Sequence, residues 1–208
     1  MSDVSVKRLH IGLDFDDTLM HTREGLVDLL NQLHETSTRI EDCHDYYLSH
    51  PWKLTEDQFH AMFEAHEAHL HMQPPLDGLL ETLHAWSPRA DFSIITGRPE
   101  FWLPSAIAWL GKHGIVVDNV VSAKAQGGKG AVARALGIDF FIEDHASFAR
   151  EVADAQVPVF LLDRPYNRDL QHPLVTRVAD WHEIRHLAAG RWNLPDLSPL
   201  ATPHGATT

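Results

Sequence analysis

The sequence predicts an α/β fold, a central parallel sheet covered by helices on both faces. Three observations carry that expectation. From Pro75 onward, short apolar runs alternate with helix-period stripes, the pattern that right-handed crossovers turn into a parallel sheet. An earlier apolar run from Val4 ends in Asp14-Phe15-Asp16-Asp17-Thr18, and such a run bounded by polar residues reads as a buried central strand. The 208 residues are 44% hydrophobic and 22% charged, which suits one globular core with room for a small insertion.

After Leu19 the spacing changes. Leu26, Leu29, Leu30 and Leu33 stand at i, i+3, i+4 and i+7 and predict a helix. The stretch 41–53 is mixed and is broken by His50-Pro51. A second helix is expected from Thr55, an N-cap candidate followed by Glu56 and Asp57, to about Met72, where Pro74-Pro75 stops it. Leu76, Leu79, Leu80, Leu83 and Trp86 form the next stripe. Residues 91–96 then read as a strand, and 99–113 as a helix with Ala106, Ile107 and Leu110 inward. A strand at 115–121 precedes a helix that Gly127-Gly128-Lys129-Gly130 opens and that runs to Leu136. Strands at 139–142 and 157–162 flank a helix at 145–155. Residues 175–178 suit a short edge strand and 181–189 a closing helix. From Asn193, Pro, Ser, Thr and Gly predict an unpacked tail.

Composition excludes some partners. A net charge of −12 argues against a nucleic-acid polymer, which clustered Lys and Arg would bind. No apolar run reaches the ~20 residues that cross a bilayer, and no basic-then-apolar leader opens the chain. The single Cys43 allows no internal disulfide, which fits a reducing compartment. The expected location is cytoplasmic, and no pattern specifies an oligomeric state.

The chemistry is expected at the strand ends, because ligands bind beyond the carboxyl edge of a parallel sheet. Asp14 and Asp16 are two apart and share a face of an extended chain. Carboxylates that close repel unless a cation lies between them, and Mg²⁺ suits carboxylates joined by a phosphate. A calcium loop counted from Asp14 would need Gly sixth and Glu twelfth, where Leu19 and Gly25 stand. The strand at 91–96 delivers the Thr96 hydroxyl, then Gly97 for close backbone approach and Arg98 as a cation. Lys124 and Lys129 both could offset phosphate charge; Lys129 is favoured, because it opens a helix, where anions bind. Its Gly-rich setting lacks the spacing of a Walker loop. Glu143-Asp144 closes the apolar strand at 139–142, a costly place for acids without a cation.

Taken in that order, Asp14-Phe15-Asp16-Asp17-Thr18, Thr96, Lys129 and Glu143-Asp144 resemble the four motifs of the haloacid-dehalogenase-like hydrolases, over roughly residues 6–165. The resemblance implies a three-layer, Rossmann-like core from residues 1–19 and 74–190, a small helical cap at 20–73, and a flexible tail at 191–208. It implies Asp14 as nucleophile, Asp16 as acid and base, and Thr96 and Lys129 stabilising the transferring phosphoryl group. Mg²⁺ would be held by Asp14, the backbone carbonyl of Asp16, and Asp144, with Glu143 a close second to Asp144. Thr18 would fix the loop on the substrate side, beside Gly97 and Arg98. Trp52 of the cap, like Phe101 and Trp102, is a candidate for stacking on a base.

Phe140-Phe141-Ile142-Glu143-Asp144, with the stretch from Val159 through Asp163-Arg164-Pro165-Tyr166-Asn167-Arg168, resembles the cytosolic-type 5′(3′)-deoxyribonucleotidase family and its bacterial relatives. That resemblance implies a phosphomonoesterase acting on nucleoside 5′-monophosphates through an aspartyl-phosphate. The alternatives are a phosphatase of another small ester, such as a sugar or cofactor phosphate, and a non-catalytic protein that keeps the fold to bind a ligand. The cap's His60, His66, His69 and His71 hint at zinc, but His66-Glu67-Ala68-His69 is one residue short of His-Glu-x-x-His. Solvated side chains are expected there instead.

Overall fold

A computed structural model describes residues 8–48 and 52–197. Six strands form one fully parallel sheet: β1 (Leu9–Leu13), β2 (Ala90–Thr96), β3 (Asn119–Ser122), β4 (Phe140–Glu143), β5 (Val159–Leu162) and β6 (Val175–Val178). Their order is β3-β2-β1-β4-β5-β6. The order reverses beside β1, which pairs with β2 on one side and β4 on the other. Such a reversal opens a crevice at the carboxyl edge of the sheet. Gly12 in β1 permits a close approach on this seam, since a Cβ there would lie 2.3 Å from the Phe141 ring.

The two faces of the sheet are separately packed. Alternation along β4 sends Phe140 to one side and Phe141 to the other. On Phe140's side, Ile11, Leu13 and Phe160 meet Trp86, Trp109 and Trp181, carried by α4 (Leu79–Trp86), α5 (Leu103–Lys112) and α8 (Trp181–Trp192). On Phe141's side, Ile95 and Leu161 meet Val132 and Val152, from α6 (Lys129–Ala135) and α7 (Ala146–Asp154). Between β1 and α4 stand α1 (Thr22–His34), α2 (Glu56–Ala65) and α3 (Glu67–Leu70). These bury a third apolar cluster that includes Leu26, Leu30, Phe59, Phe63 and, from the α5 side, Trp102.

Several expectations need correction. The helix expected from Thr55 to Met72 is two helices, broken at His66, whose φ of −117° is not helical. Leu33 is 54% exposed, because the last turn of α1 has run past the small cluster that Leu26 and Leu30 enter. Ile107 is likewise 54% exposed, and Trp109 is buried in its stead; Ala106, Trp109 and Leu110 share a helix face, which an immediate neighbour of Ala106 cannot. His71 was expected in solvent. It is buried, its Nδ1 2.7 Å from Ser105 Oγ and its ring against Phe63 and Trp102. Strand β3 begins at Asn119, four residues later than expected.

The expected tail is also cut back. Helix α8 reaches Trp192, Leu194 is buried in the main core, and the carbonyl of Pro195 accepts from Trp86 Nε1 at 3.1 Å. The expected strand residues before Lys7, the His50-Pro51 break and the tail from residue 198 lie outside the described residues.

Candidate active site

Four chain segments converge at the carboxyl edge of the sheet. β1 ends at Leu13, and the loop behind it carries Asp14, Asp16 and Asp17. That loop is anchored by the Asp14 N–H, which donates to the Ile142 carbonyl at 3.0 Å. β2 ends on Thr96, β4 on Glu143 with Asp144 next, and α6 opens on Lys129. Of the two lysines, Lys129 is buried and joins the acids, while Lys124 is exposed.

Lys129 Nζ donates to Asp14 Oδ1 at 2.5 Å and to Glu143 Oε2 at 2.6 Å. The other oxygen of Glu143 accepts the N–H groups of Asp144 and His145, at 3.2 and 3.0 Å. Burial and the charge of Glu143 push Asp14 well above the usual carboxylate range, more than Lys129 pulls it down. Burial likewise carries Glu143 up to about 7, against the opposing pull of Lys129. Asp17 also rises to about 7, through burial and the charge of Asp144. Burial disfavours the charged form of Lys129, but Asp14 and Glu143 together outweigh it and hold the ammonium above its ordinary range.

Asp16 has a different partner. Burial opposes its ionisation, yet Arg98 holds the carboxyl below its usual range. Arg98 donates from Nε to Oδ2 at 2.7 Å and from Nη2 to Oδ1 at 2.6 Å, and Thr22 Oγ1 adds a bond of 2.8 Å. Thr96 is buried at the floor, its Oγ1 accepting the Arg98 N–H at 3.1 Å. Beside it, Gly97 leaves space that a Cβ would close to 3.3 Å from the Phe148 ring.

Asp14, Glu143 and Asp144 each offer an oxygen, and those three atoms lie within 4.8 Å of one another, all on buried residues. Three hard oxygen donors that repel one another in a low-dielectric setting fit a divalent cation. Above them a cavity of about 460 Å³ is lined at the floor by Asp14, Asp16, Thr96 and Arg98, and on its walls by Tyr46, Phe59 and Trp102 among others.

Two expected contacts are placed elsewhere. Trp52 does not line this cavity; its Nε1 donates to Thr36 Oγ1 at 3.0 Å and its ring packs on the cluster of the helical insertion. Thr18 is buried below the floor, where its hydroxyl donates to Asp144 Oδ1 at 3.1 Å instead of facing the cavity. Sequence reasoning missed Asp17 and Tyr46. The third acid of the first motif was visible, but Tyr46 reaches the site only through the folding of the insertion.

The order of strands and the carboxyl-edge acids define the chain as a haloacid-dehalogenase-like hydrolase with an α/β, Rossmann-like fold. Within that class it belongs to the family described as 5′ nucleotidase, deoxy (pyrimidine), cytosolic type C, whose profile matches residues 7–191; the chain is thus a hydrolase of phosphoric monoesters. A nucleotidase of Clostridium acetobutylicum is 25% identical over 180 residues, covering 86% of this chain and 93% of that one. A protein of Halalkalibacterium halodurans is 28% identical over 181 residues, 86% of this chain and 92% of the relative. Among solved structures, the magnesium-bound HAD-hydrolase YfnB of Bacillus subtilis shares the fold, with a TM-score of 0.58 at 12% identity over 87% of this chain and 98% of its own. No helix among the described residues is long and apolar enough to cross a membrane.

Proposed function

We propose that the chain is a Mg²⁺-dependent phosphomonoesterase acting on nucleoside 5′-monophosphates through an aspartyl-phosphate. The observation that carries this reading is Asp14, buried at the end of β1 on the ammonium of Lys129 and within reach of Glu143 and Asp144. Asp14 attacks phosphorus in line, forming the Asp14 Oδ–P bond as the bond to the leaving oxygen breaks. Asp16 gives that oxygen a proton, then takes one from the water that hydrolyses the aspartyl-phosphate. Arg98 favours the charged Asp16 needed for the second of these steps, and for the first it has to loosen its hold. A phosphate dianion entering beside Arg98 is the competitor that would draw it off. Lys129 and Thr96 face the charge of the transferring oxygens.

Asp14 and Asp144 would hold Mg²⁺ most directly, since Glu143 already accepts three hydrogen bonds, from Lys129 and two backbone N–H groups, whereas Asp144 accepts two side-chain hydroxyls, of the about four bonds a carboxylate can take. The bound ion supplies Lewis-acid polarisation of the phosphoryl oxygens. We assign α1 to α3 as a cap that excludes water and selects the leaving group. A nucleobase is favoured over a bare sugar by the cavity wall, where Tyr46, Phe59 and Trp102 stand together.

Phosphate release from ribo- and deoxynucleoside monophosphates, sugar phosphates and an aryl phosphate tests this. Turnover should need Mg²⁺, favour nucleotides, and fall roughly 10³-fold or more in Asp14→Asn, which lacks the nucleophile. Sugar phosphates turned over faster than nucleotides would replace the substrate class. An Asp14→Asn enzyme as active as the wild type would remove the mechanism.

A further inference from the structure

The segment Arg164-Pro165-Tyr166-Asn167 stands out in the sequence, and none of the steps above uses it. It follows β5 and packs under the acidic site. Tyr166 Oη donates to Asp144 Oδ2 at 2.5 Å. The Asn167 amide donates to the Asp144 carbonyl at 2.6 Å and to the Leu162 carbonyl at 2.7 Å. Arg164 Nη2 donates to the Asp17 carbonyl at 2.8 Å, tying the segment to the loop behind β1. Asn167 is itself fixed by Arg177 of β6, which reaches its side-chain oxygen at 2.5 Å and its backbone carbonyl at 2.9 Å.

The phenol is aimed from above as well as below. The Arg23 guanidinium of α1 lies 4.2 Å from the centre of the Tyr166 ring, and the same guanidinium donates to the Tyr46 carbonyl at 3.0 Å. The ring is thus held between the core segment and the helical insertion. Asp144 receives one hydroxyl on each oxygen, Tyr166 on Oδ2 and Thr18 on Oδ1. Each oxygen keeps lone-pair capacity for a cation, because a carboxylate accepts about four bonds. Donors of this kind fix the direction of its remaining lone pairs, the orientation a metal ligand needs.

We propose that Tyr166 is a positioning residue for a divalent cation, acting through Asp144, with Asn167 and Arg23 setting its place. The inference deepens the metal part of the proposed function and rests on it. It also states why the insertion and the metal ligand are linked: Arg23 touches both the cap's Tyr46 and the ring that orients Asp144.

The test reads metal binding without substrate. Mg²⁺ is titrated by calorimetry into the full chain at neutral pH, and Mn²⁺ is followed by electron paramagnetic resonance, for wild type, Tyr166→Phe and Thr18→Val. Tyr166→Phe removes one oxygen and keeps the ring under Arg23, so the fold should survive. Its affinity for both ions should fall roughly 10-fold or more, as for other partners of metal ligands. Its phosphatase activity should recover when Mg²⁺ is raised in proportion. Wild-type affinity in Tyr166→Phe, or an activity loss that added Mg²⁺ does not restore, would overturn the proposal. A wild type that takes up neither ion at millimolar concentration would overturn the metal reading itself, and this inference with it. A wild type that binds both ions tightly yet hydrolyses no ester would remove the phosphatase reading and leave the affinity comparison standing.

Discussion

At the scale of the residue, Lys129 decides whether the site can exist. Its ammonium offsets two buried carboxylates at the cavity floor. Removing one member of such a buried set leaves uncompensated charge, a loss of about 3–5 kcal/mol. Lys129→Met should therefore abolish turnover and lower stability by about that much at pH 8. The stability deficit should shrink at pH 5.5, where Glu143, raised to about 7, takes up a proton and no longer needs the cation. Urea unfolding at both pH values reads this, and a deficit independent of pH would refute it. Lys129 could be chosen from sequence because a helix start fixes where its first side chain points. Trp52 could not be excluded the same way. An aromatic in a segment without a strand or helix end has no defined direction until the insertion folds, and here its N–H found Thr36.

Elements differ in how strongly their own residues specify them. Helix α2 begins where the sequence says it should. Thr55 Oγ1 accepts the Gln58 N–H at 3.2 Å and Gln58 Oε1 accepts the Thr55 N–H at 2.9 Å, a reciprocal cap. Thr55→Ala should cost about 1 kcal/mol. The insertion holds its own small cluster apart from the sheet, so the loss should appear as faster amide exchange in α2 with β1 and β4 unchanged. Slower exchange in α2, or equal acceleration across the sheet, would contradict that separation. The end of α2 was not readable. Ala65-His66-Glu67 contains neither Gly nor Pro, and the break at His66 lets Leu70 enter the insertion's cluster while His71 reaches Ser105. Tertiary packing sets that break, whereas the strands were legible because each is a short apolar run closed by a polar residue.

At the scale of the whole molecule, the acids at one sheet edge tie stability to protons and metal. Glu143 and Asp17 titrate near 7 in the folded chain, above ordinary values of 4.5 and 3.8. Between those values the folded chain binds more protons than the unfolded one, so stability falls as pH rises and the loss is complete above about 7. A divalent cation at Asp14 and Asp144 favours the charged forms of their neighbours Glu143 and Asp17 and offsets the charge that burial makes costly. Mg²⁺ should therefore stabilise the protein strongly at pH 8, by about 2.7 kcal/mol at a hundred times its dissociation constant. At pH 5.5 the ion competes with protons already bound, and the gain should nearly vanish. Melting temperatures with Mg²⁺ and with chelator, at the two pH values, measure the difference directly. Groups away from the site contribute equally to both arms and cancel. A shift of the same size at pH 5.5 and pH 8 would mean that Mg²⁺ acts elsewhere on this acidic surface, and no shift at either would mean that the buried acids settle their charge with Lys129 and protons alone.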